Sequence, residues 1–588
     1  MCSNTTKLSR AFVLYGWLAA VITTMIPYSC PLFANEAAPA DPSNATMRLD
    51  ATLAKGGSLI SDGSGNQAVF FPAFVPANEK IVWTFERPLP LGLWKIDVNF
   101  HQAAGRYSPN QVLLFEGENS RTLGSLDFYY IASALGNYTR SLGFYSDKAV
   151  MSVALLKSAQ RNLDTAAVVS ITLTPATASA VDKLPLILQL PLTGPQVSLP
   201  FPLPSGVYVV NTAKPVSLRW DLVDGRSFTT PSTRESRVWL DQPVKPVVAG
   251  GESVSEVGFL RYPPATGPAM SVPGNASLTN VTAPEKEELH TLILTGYRGP
   301  GIPRPDLLPG GKNVAVVTAW DDGNLMDLQV SACLKRHGMK GTFYMNSGSP
   351  MMDHLGALEE DGMEVGSHSW SHPAYYTSSP KRCLDESVEM RRLLENRLGH
   401  PVVSFAYPFN YQPAYDADGD YVLRALRKAG YWSGRVTTTG DNRIDSIPEP
   451  LAMRPNFAWS VGPAKMKEKY EELRQQTGSI LYFWGHSYEC ANDGIKKLEE
   501  VLTAVENRQD AWYATLGELM VWKFAREQFR IEAAPSSAGG QAFTLKMPWL
   551  HPYLRQVPLS LTLPDGVTEV SWDGQKLPAV EGRVQVKW

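Results

Sequence analysis

Asp321-Asp322-Gly323, His368-Ser369-Trp370-Ser371-His372 and Trp484-Gly485-His486 are three short segments whose residue types could do chemistry together. An acid and two histidines form a donor set for a divalent ion, and three protein ligands leave places open for water and substrate, as hydrolytic zinc chemistry requires. His368 and His372 lie four apart, so a helix would put them on one face and a loop could still close both on one ion. The zinc-protease pattern with Glu after the first His is absent, because Ser369 stands there. Adjacent residues at a strand end point to opposite sides, so two roles suit the aspartates better than one. Asp322 is the candidate ligand, and Asp321 the candidate general base on water held at the ion. Against that stand two plainer readings, solvated loop acids or a cap on a helix starting near Asp327. His486 suits a general acid for a leaving group, and its plainer reading is a surface histidine.

Each segment follows an apolar run. Asn313-Val314-Ala315-Val316-Val317-Thr318-Ala319-Trp320 is short and rich in β-branched residues, Met363-Glu364-Val365-Gly366-Ser367 precedes the histidine pair, and Ile480-Leu481-Tyr482-Phe483-Trp484 precedes His486. If these are parallel strands, their C-terminal ends share one face of the sheet or barrel. Further strands are expected at 340–346, 402–407, 431–436 and 451–457, with helices at 327–336, 381–398, 421–428, 464–475 and 495–507. In the second helix Leu384 and Val388, Met390 and Leu393, and Leu394 and Leu398 recur at three- and four-residue spacing. Seven strands interleaved with helices predict an α/β domain over 310–525, open or closed into a barrel.

The flanks read differently. Residues 45–180 carry short alternating segments such as Lys80-Ile81-Val82-Trp83-Thr84-Phe85, spaced by Gly, Pro and Asn, which predicts a β-sandwich. After a proline-rich stretch a second β region is expected over 185–290, and a small β domain with an Asp573-Gly574 hairpin signal over 530–588. At the start, Lys7 and Arg10 precede a charge-free stretch from Ala11 to Asn35, which reads as a signal peptide over 1–34 and predicts export to the periplasm, cell envelope or exterior. If uncleaved, that stretch would instead anchor in a membrane. A cleaved chain keeps Cys333, Cys383 and Cys490, an odd and scattered set that suggests no disulfide framework and no Cys-x-x-Cys metal site. With 588 residues, several domains are expected. The near balance of 54 basic and 57 acidic residues gives no global field for nucleic acid or an anionic membrane surface.

Taken in order, Thr318-Ala319-Trp320-Asp321-Asp322-Gly323, Gly366-Ser367-His368-Ser369-Trp370-Ser371-His372-Pro373, Phe405-Ala406-Tyr407-Pro408-Phe409 and Trp484-Gly485-His486 resemble the successive motifs of the polysaccharide deacetylases, carbohydrate esterase family 4. Gly341-Thr342-Phe343-Tyr344 and Trp512-Tyr513-Ala514-Thr515-Leu516-Gly517-Glu518 fit as well, so the likeness spans about 310 to 525 and leaves the flanks unaddressed. The resemblance implies a distorted (β/α) barrel of about seven strands that removes acetyl groups, usually N-acetyl, from amino-sugar polymers. It implies that Asp322, His368 and His372 hold a divalent metal, zinc foremost, that Asp321 is the base and His486 the acid, and that Tyr407, Phe409 and Trp484 face the substrate, with a backbone N–H near Phe409 on the oxyanion.

The chain departs from the family pattern in three places. Ala406 stands where the family has an arginine that pairs with the catalytic aspartate, and Arg454 is the expected replacement. No Asp-Trp motif orients the catalytic histidine, which leaves Glu489 or Asp445 for that task. Trp484 replaces an aliphatic residue of the acetyl pocket, so the substrate is less determined than the reaction. Two other functions fit the sequence less well. A non-catalytic exported carbohydrate-binding protein would leave all five metal and proton-transfer candidates without purpose. A glycoside hydrolase needs two carboxylates about 5 to 9.5 Å apart across one bond, which splayed neighbours do not supply.

Overall fold

The computed structural model describes residues 46–587 apart from 72–78, 103–110, 129–135, 158–166, 192–196, 198–200, 202, 223, 243–244, 252–253, 265–269, 271–277, 298–299 and 538–539. The expected signal peptide, 1–34, lies outside the described residues. Among the described residues no helix is long and apolar enough to cross a membrane. The chain divides into two units, one of residues 1–266 with 374–380 and 412–421, the other of 267–373, 381–411 and 422–588.

The first unit is largely antiparallel β-structure. Strands Lys80–Leu89, Val150–Lys157, Gln111–Glu116 and Thr122–Phe128 form one sheet, and a longer sheet runs through Ala167–Pro175, Gly92–Gln102 and Gly136–Ser146. Alternate residues of the two sheets, among them Trp83, Phe115, Ile96, Val98 and Phe144, meet in a common core with Phe115 and Phe144 stacked 4.0 Å apart. These two sheets lie within the stretch read from sequence as a sandwich over 45–180. The second β region expected over 185–290 is not separate from it. Leu186–Pro191 pairs in parallel with Gly136–Ser146 through Leu186 and Gly143, and Glu256–Tyr262, Gly206–Asp221 and Thr233–Leu240 extend the same sheet. The proline-rich stretch interrupts the chain without ending the sheet.

The second unit holds the α/β domain. Its strands are β1 (Val314–Asp321), β2 (Thr342–Met345), β3 (Glu364–Ser367), β4 (Ser404–Ala406), β5 (Ser433–Arg435), β6 (Phe457–Ala458), β7 (Ser479–His486) and β8 (Ala511–Tyr513). The main ring runs β5-β4-β3-β2-β1-β7, all parallel, and β8 adds to the start of β1. Met453 bridges Arg435 in parallel and β6 pairs with β7, so the segment 453–458 closes the ring. All eight residues of β1 are buried, as a strand covered on both faces requires. Ala315, Val317 and Ala319 share an interior core with Tyr344, Ala406, Met453, Ile480 and Tyr482, and the two-residue period continues that inward face to Asp321.

Helices α1 (Asp327–Arg336), α2 (Leu355–Glu360), α3 (Pro380–Leu398), α4 (Tyr421–Ala429), α5 (Pro463–Leu473) and α6 (Gly494–Thr503) alternate with the strands, and α7 (Leu516–Gln528) follows β8. α7 starts on a capping box of Thr515 and Glu518. Its first N–H groups meet the lower ends of two strands: Leu516 donates to Thr342 Oγ1 at 2.9 Å and Gly517 to Glu364 at 2.7 Å. Leu519, Met520 and Trp522 then join the barrel core.

The C-terminal β domain expected over 530–588 is not self-contained. Its strand Gly540–Leu550 lies between Arg530–Ser537 and Thr282–Thr295, and Thr282–Thr295 also pairs with Glu569–Trp572. A strand that precedes the barrel in sequence thus sits at the centre of the sheet that follows it.

Candidate metal centre and active site

The interior register of β1 delivers Asp321, and the residue paired with it on β7 is His486. After Asp321 the strand breaks sharply. Asp322 takes φ 76° and Gly323 φ 62°, which turns the Asp322 carboxylate back toward the barrel mouth. Gly323 is required by space as well as by φ, since a Cβ there would lie 2.5 Å from Met345 Sδ and 2.6 Å from Ser349. Ser369, His372 and Phe409 also adopt left-handed φ of 64°, 58° and 62°. Such backbone costs about 1–3 kcal/mol per residue and persists where the surroundings hold it.

Those surroundings are visible. Ser349 Oγ donates to the Asp322 carbonyl at 2.8 Å, and the His372 N–H donates to Ser369 Oγ at 3.1 Å. Glu386, fully buried on α3, accepts from the Ser371 N–H at 2.7 Å and from its hydroxyl at 2.5 Å. This pins the loop between the two histidines. Nothing in the local sequence around Glu386 distinguished it from other helix acids.

Three donor atoms converge at the mouth. Asp322 Oδ1 lies 3.4 Å from His368 Nε2 and 3.3 Å from His372 Nε2, and the two nitrogens are 3.1 Å apart. His368 Nδ1 donates to the Ala406 carbonyl at 2.8 Å, which leaves the lone pair on Nε2. Burial pushes the His368 imidazole further toward its neutral form. Burial alone would raise Asp322, but the His368 and His372 imidazoles beside it outweigh that and hold the carboxyl well below the usual range. Donors at about 2.0–2.1 Å around a tetrahedral ion stand roughly 3.3–3.4 Å apart, so the triangle fits such an ion in both chemistry and size.

Asp321 is buried beside this triangle, with Oδ2 3.8 Å from His368 Nε2. Oδ2 accepts from the Arg435 guanidinium, and Oδ1 has no hydrogen-bond partner. The arginine expected for this pairing was Arg454, and the structure corrects it. Arg454 is exposed and lies along Gly440, because its neighbour Met453 takes the inward position on that segment. Arg435 instead sits on β5 in direct register with Ala406 on β4. The charge missing at 406 is therefore supplied from the adjacent strand. Burial pushes the Arg435 guanidinium down to about 10, and the Trp484 ring covers it at 4.4 Å.

His486 faces the triangle from β7, with Nε2 3.9 Å from Asp322 Oδ2. Glu489 Oε1 lies 3.0 Å from His486 Nδ1, and Glu489 Oε2 accepts from Trp459 Nε1 at 3.0 Å. Burial raises the Glu489 carboxyl, but these bonds prevail and hold it below the ordinary value. Asp445, the other residue considered for this place, pairs with Arg443. Phe409 meets His372 edge to face at 4.9 Å, and Trp484 is half-buried. Tyr407 does not face the mouth. It is fully buried and its hydroxyl donates to the Leu451 carbonyl at 2.9 Å, so the expectation of a substrate contact from its side chain is withdrawn.

The stretch that carries Asp321, Asp322, His368, His372 and Phe409 has a recognisable sequence. Residues 309–432 match the polysaccharide deacetylase family. The matched residues of this deacetylase domain end before Arg435 and His486. Over 127 residues the chain is 26% identical to the peptidoglycan-N-acetylglucosamine deacetylase PgdA of Listeria monocytogenes, covering 21% of this chain and 26% of that protein. The chain thus spans about a quarter of the length of the curated relatives it matches. Among solved structures, a family 4 acetyl xylan esterase from Clostridium thermocellum in complex with a cobalt ion is 17% identical, with 35% of this chain and 89% of that one covered and a TM-score of 0.26. A family 4 carbohydrate esterase from Streptomyces lividans in complex with acetate is 12% identical, with 34% and 88% covered and a TM-score of 0.24.

Proposed function

We propose that this protein is an exported, metal-dependent carbohydrate deacetylase that hydrolyses acetyl groups, most naturally N-acetyl, on a polysaccharide or oligosaccharide. The observation that carries the reading is the convergence of Asp322, His368 and His372 at 3.1–3.4 Å beside a buried Asp321 that keeps one oxygen unpartnered. Asp322, His368 and His372 would hold the divalent ion, with zinc favoured by the imidazole-rich set. When bound, the ion polarises the acetyl carbonyl and lowers the pKa of water.

The chain's own residues divide the remaining work. Arg435 fixes Asp321 through Oδ2, which leaves Oδ1 to take the proton from the attacking water. Glu489 holds His486 by Nδ1 and turns Nε2 toward the mouth, where it protonates the departing nitrogen. Phe409, held at positive φ against His372, offers its backbone as the oxyanion donor. The C–N bond breaks, acetate leaves, and a free amino sugar remains. Trp484 shields the Arg435–Asp321 pair from water and narrows the acetyl pocket.

Acetate release from N-acetylated chitooligosaccharides and from peptidoglycan fragments tests the reading. Activity should vanish with a chelator, return with Zn²⁺, and fall about 10²–10⁴-fold in Asp321→Asn with metal content unchanged. Full, chelator-insensitive activity in His368→Ala would refute it, and metal binding without turnover on any acetylated sugar would favour a carbohydrate-binding role.

A further inference from the structure

Away from the barrel mouth, Cys333, His337 and Glu499 bring a thiol, an imidazole and a carboxylate together, with one donor atom from each within 4.8 Å of the others. Cys333 is buried and free, lying on α1, and His337 caps that helix. The His337 N–H still bonds the Cys333 carbonyl at 3.3 Å, so the helical turn is intact and both side chains rise on one face. Glu499 comes from α6. Glu506 Oε2 holds His337 Nδ1 at 2.7 Å, the carboxylate-to-imidazole contact that orients histidine ligands in zinc sites. Arg336 engages Glu499 through Oε1 at 2.5 Å, which leaves Oε2 for another partner. Nothing in the proposed reaction uses any of these groups.

We propose that Cys333, His337 and Glu499 form a second metal site, selective for thiolate-binding ions such as zinc. A sulfur, nitrogen and oxygen set favours zinc or cobalt over magnesium and calcium. The site lies between two particular helices. α1 follows the loop of Asp321 and Asp322, and α6 follows the loop after His486. An ion there ties together the helices behind both proton-transfer residues.

The site stands independently of the deacetylase reading, and Co²⁺ added to the metal-free full chain separates the two. Only a thiolate ligand gives a near-ultraviolet sulfur-to-cobalt charge-transfer band, and the Asp322, His368 and His372 set has none. The expected result is two bound ions per chain with that band present. Cys333→Ser should lose the band and one ion while retaining acetate release. Glu499→Gln, which keeps the buried thiol and disturbs only a half-exposed position, should weaken cobalt binding at this site at least tenfold. His368→Ala should lose the other ion and keep the band. A wild-type chain that saturates without the band overturns the proposal, as does Cys333→Ser that still binds two ions. Cys490 is also a buried free thiol, so a Cys333–Cys490 disulfide found by non-reduced peptide mapping would overturn it too.

Discussion

Arg435 and Arg454 differ by one strand and by everything that matters to Asp321. Removing Arg435 leaves a buried carboxylate without its counter-charge, which in such settings costs about 3–5 kcal/mol. Arg435→Ala should therefore unfold at markedly lower denaturant and lose acetate release, with Arg435→Lys intermediate. Arg454→Ala, at an exposed site, should stay within about 0.5 kcal/mol of wild type and remain active; urea titration with an acetate assay checks both. The ligand and proton-transfer candidates were legible in the sequence because each ends an apolar run at a strand mouth. Arg435 was not, because its role depends on which residue of β5 lies beside Ala406, and no local pattern sets the stagger between two strands. Arg454 drew attention for flanking a strand, but a one-residue difference in parity turns a side chain to the opposite face.

Among the elements, the turn after β1 and the start of α1 each carry a local cost. Gly323→Ala adds a methyl into Met345 and Ser349 at a positive φ, so it should cost about 1–3 kcal/mol and weaken metal retention, measured by thermal unfolding and by dialysis against a chelator. Asp327 opens α1 fully buried. Burial, with the nearby Asp322 charge, pushes it from 3.8 up to about 8. Its folded value lies above its unfolded one, so the folded state holds a proton that the unfolded chain releases between those limits, and stability falls as pH rises from 3.8 to about 8. Asp327→Asn should match wild type near pH 4 and exceed it by on the order of a few kcal/mol near pH 8, as paired urea midpoints would reveal. α1 keeps the bounds read from sequence, Asp327–Arg336, whereas β6 shrank to Phe457–Ala458 because Pro450–Ala452 forms a 3₁₀ turn. α7 went unread because its buried face is part of the barrel core and shows little polar alternation.

At the scale of the whole molecule, the boundaries drawn from texture at 310 and 525 do not coincide with a unit that can stand alone. Leu292 and Leu294 from Thr282–Thr295 share a core with Phe543 and Leu545 and with Trp522 of α7. A fragment of residues 310–525, which lacks Thr282–Thr295 and Gly540–Leu550, should be insoluble or protease-sensitive, readable by limited proteolysis. Pairings this distant leave no mark on composition, which is why the C-terminal β domain looked separate. They do leave a mark on time. Leu292 meets Phe543 across 251 residues of chain, and at ribosomal rates of about 5–20 residues per second that partner arrives roughly 12–50 s later. Until then Thr282–Thr295 lacks the strand Gly540–Leu550 that covers it, so a chain released early leaves one edge of that central strand unpaired.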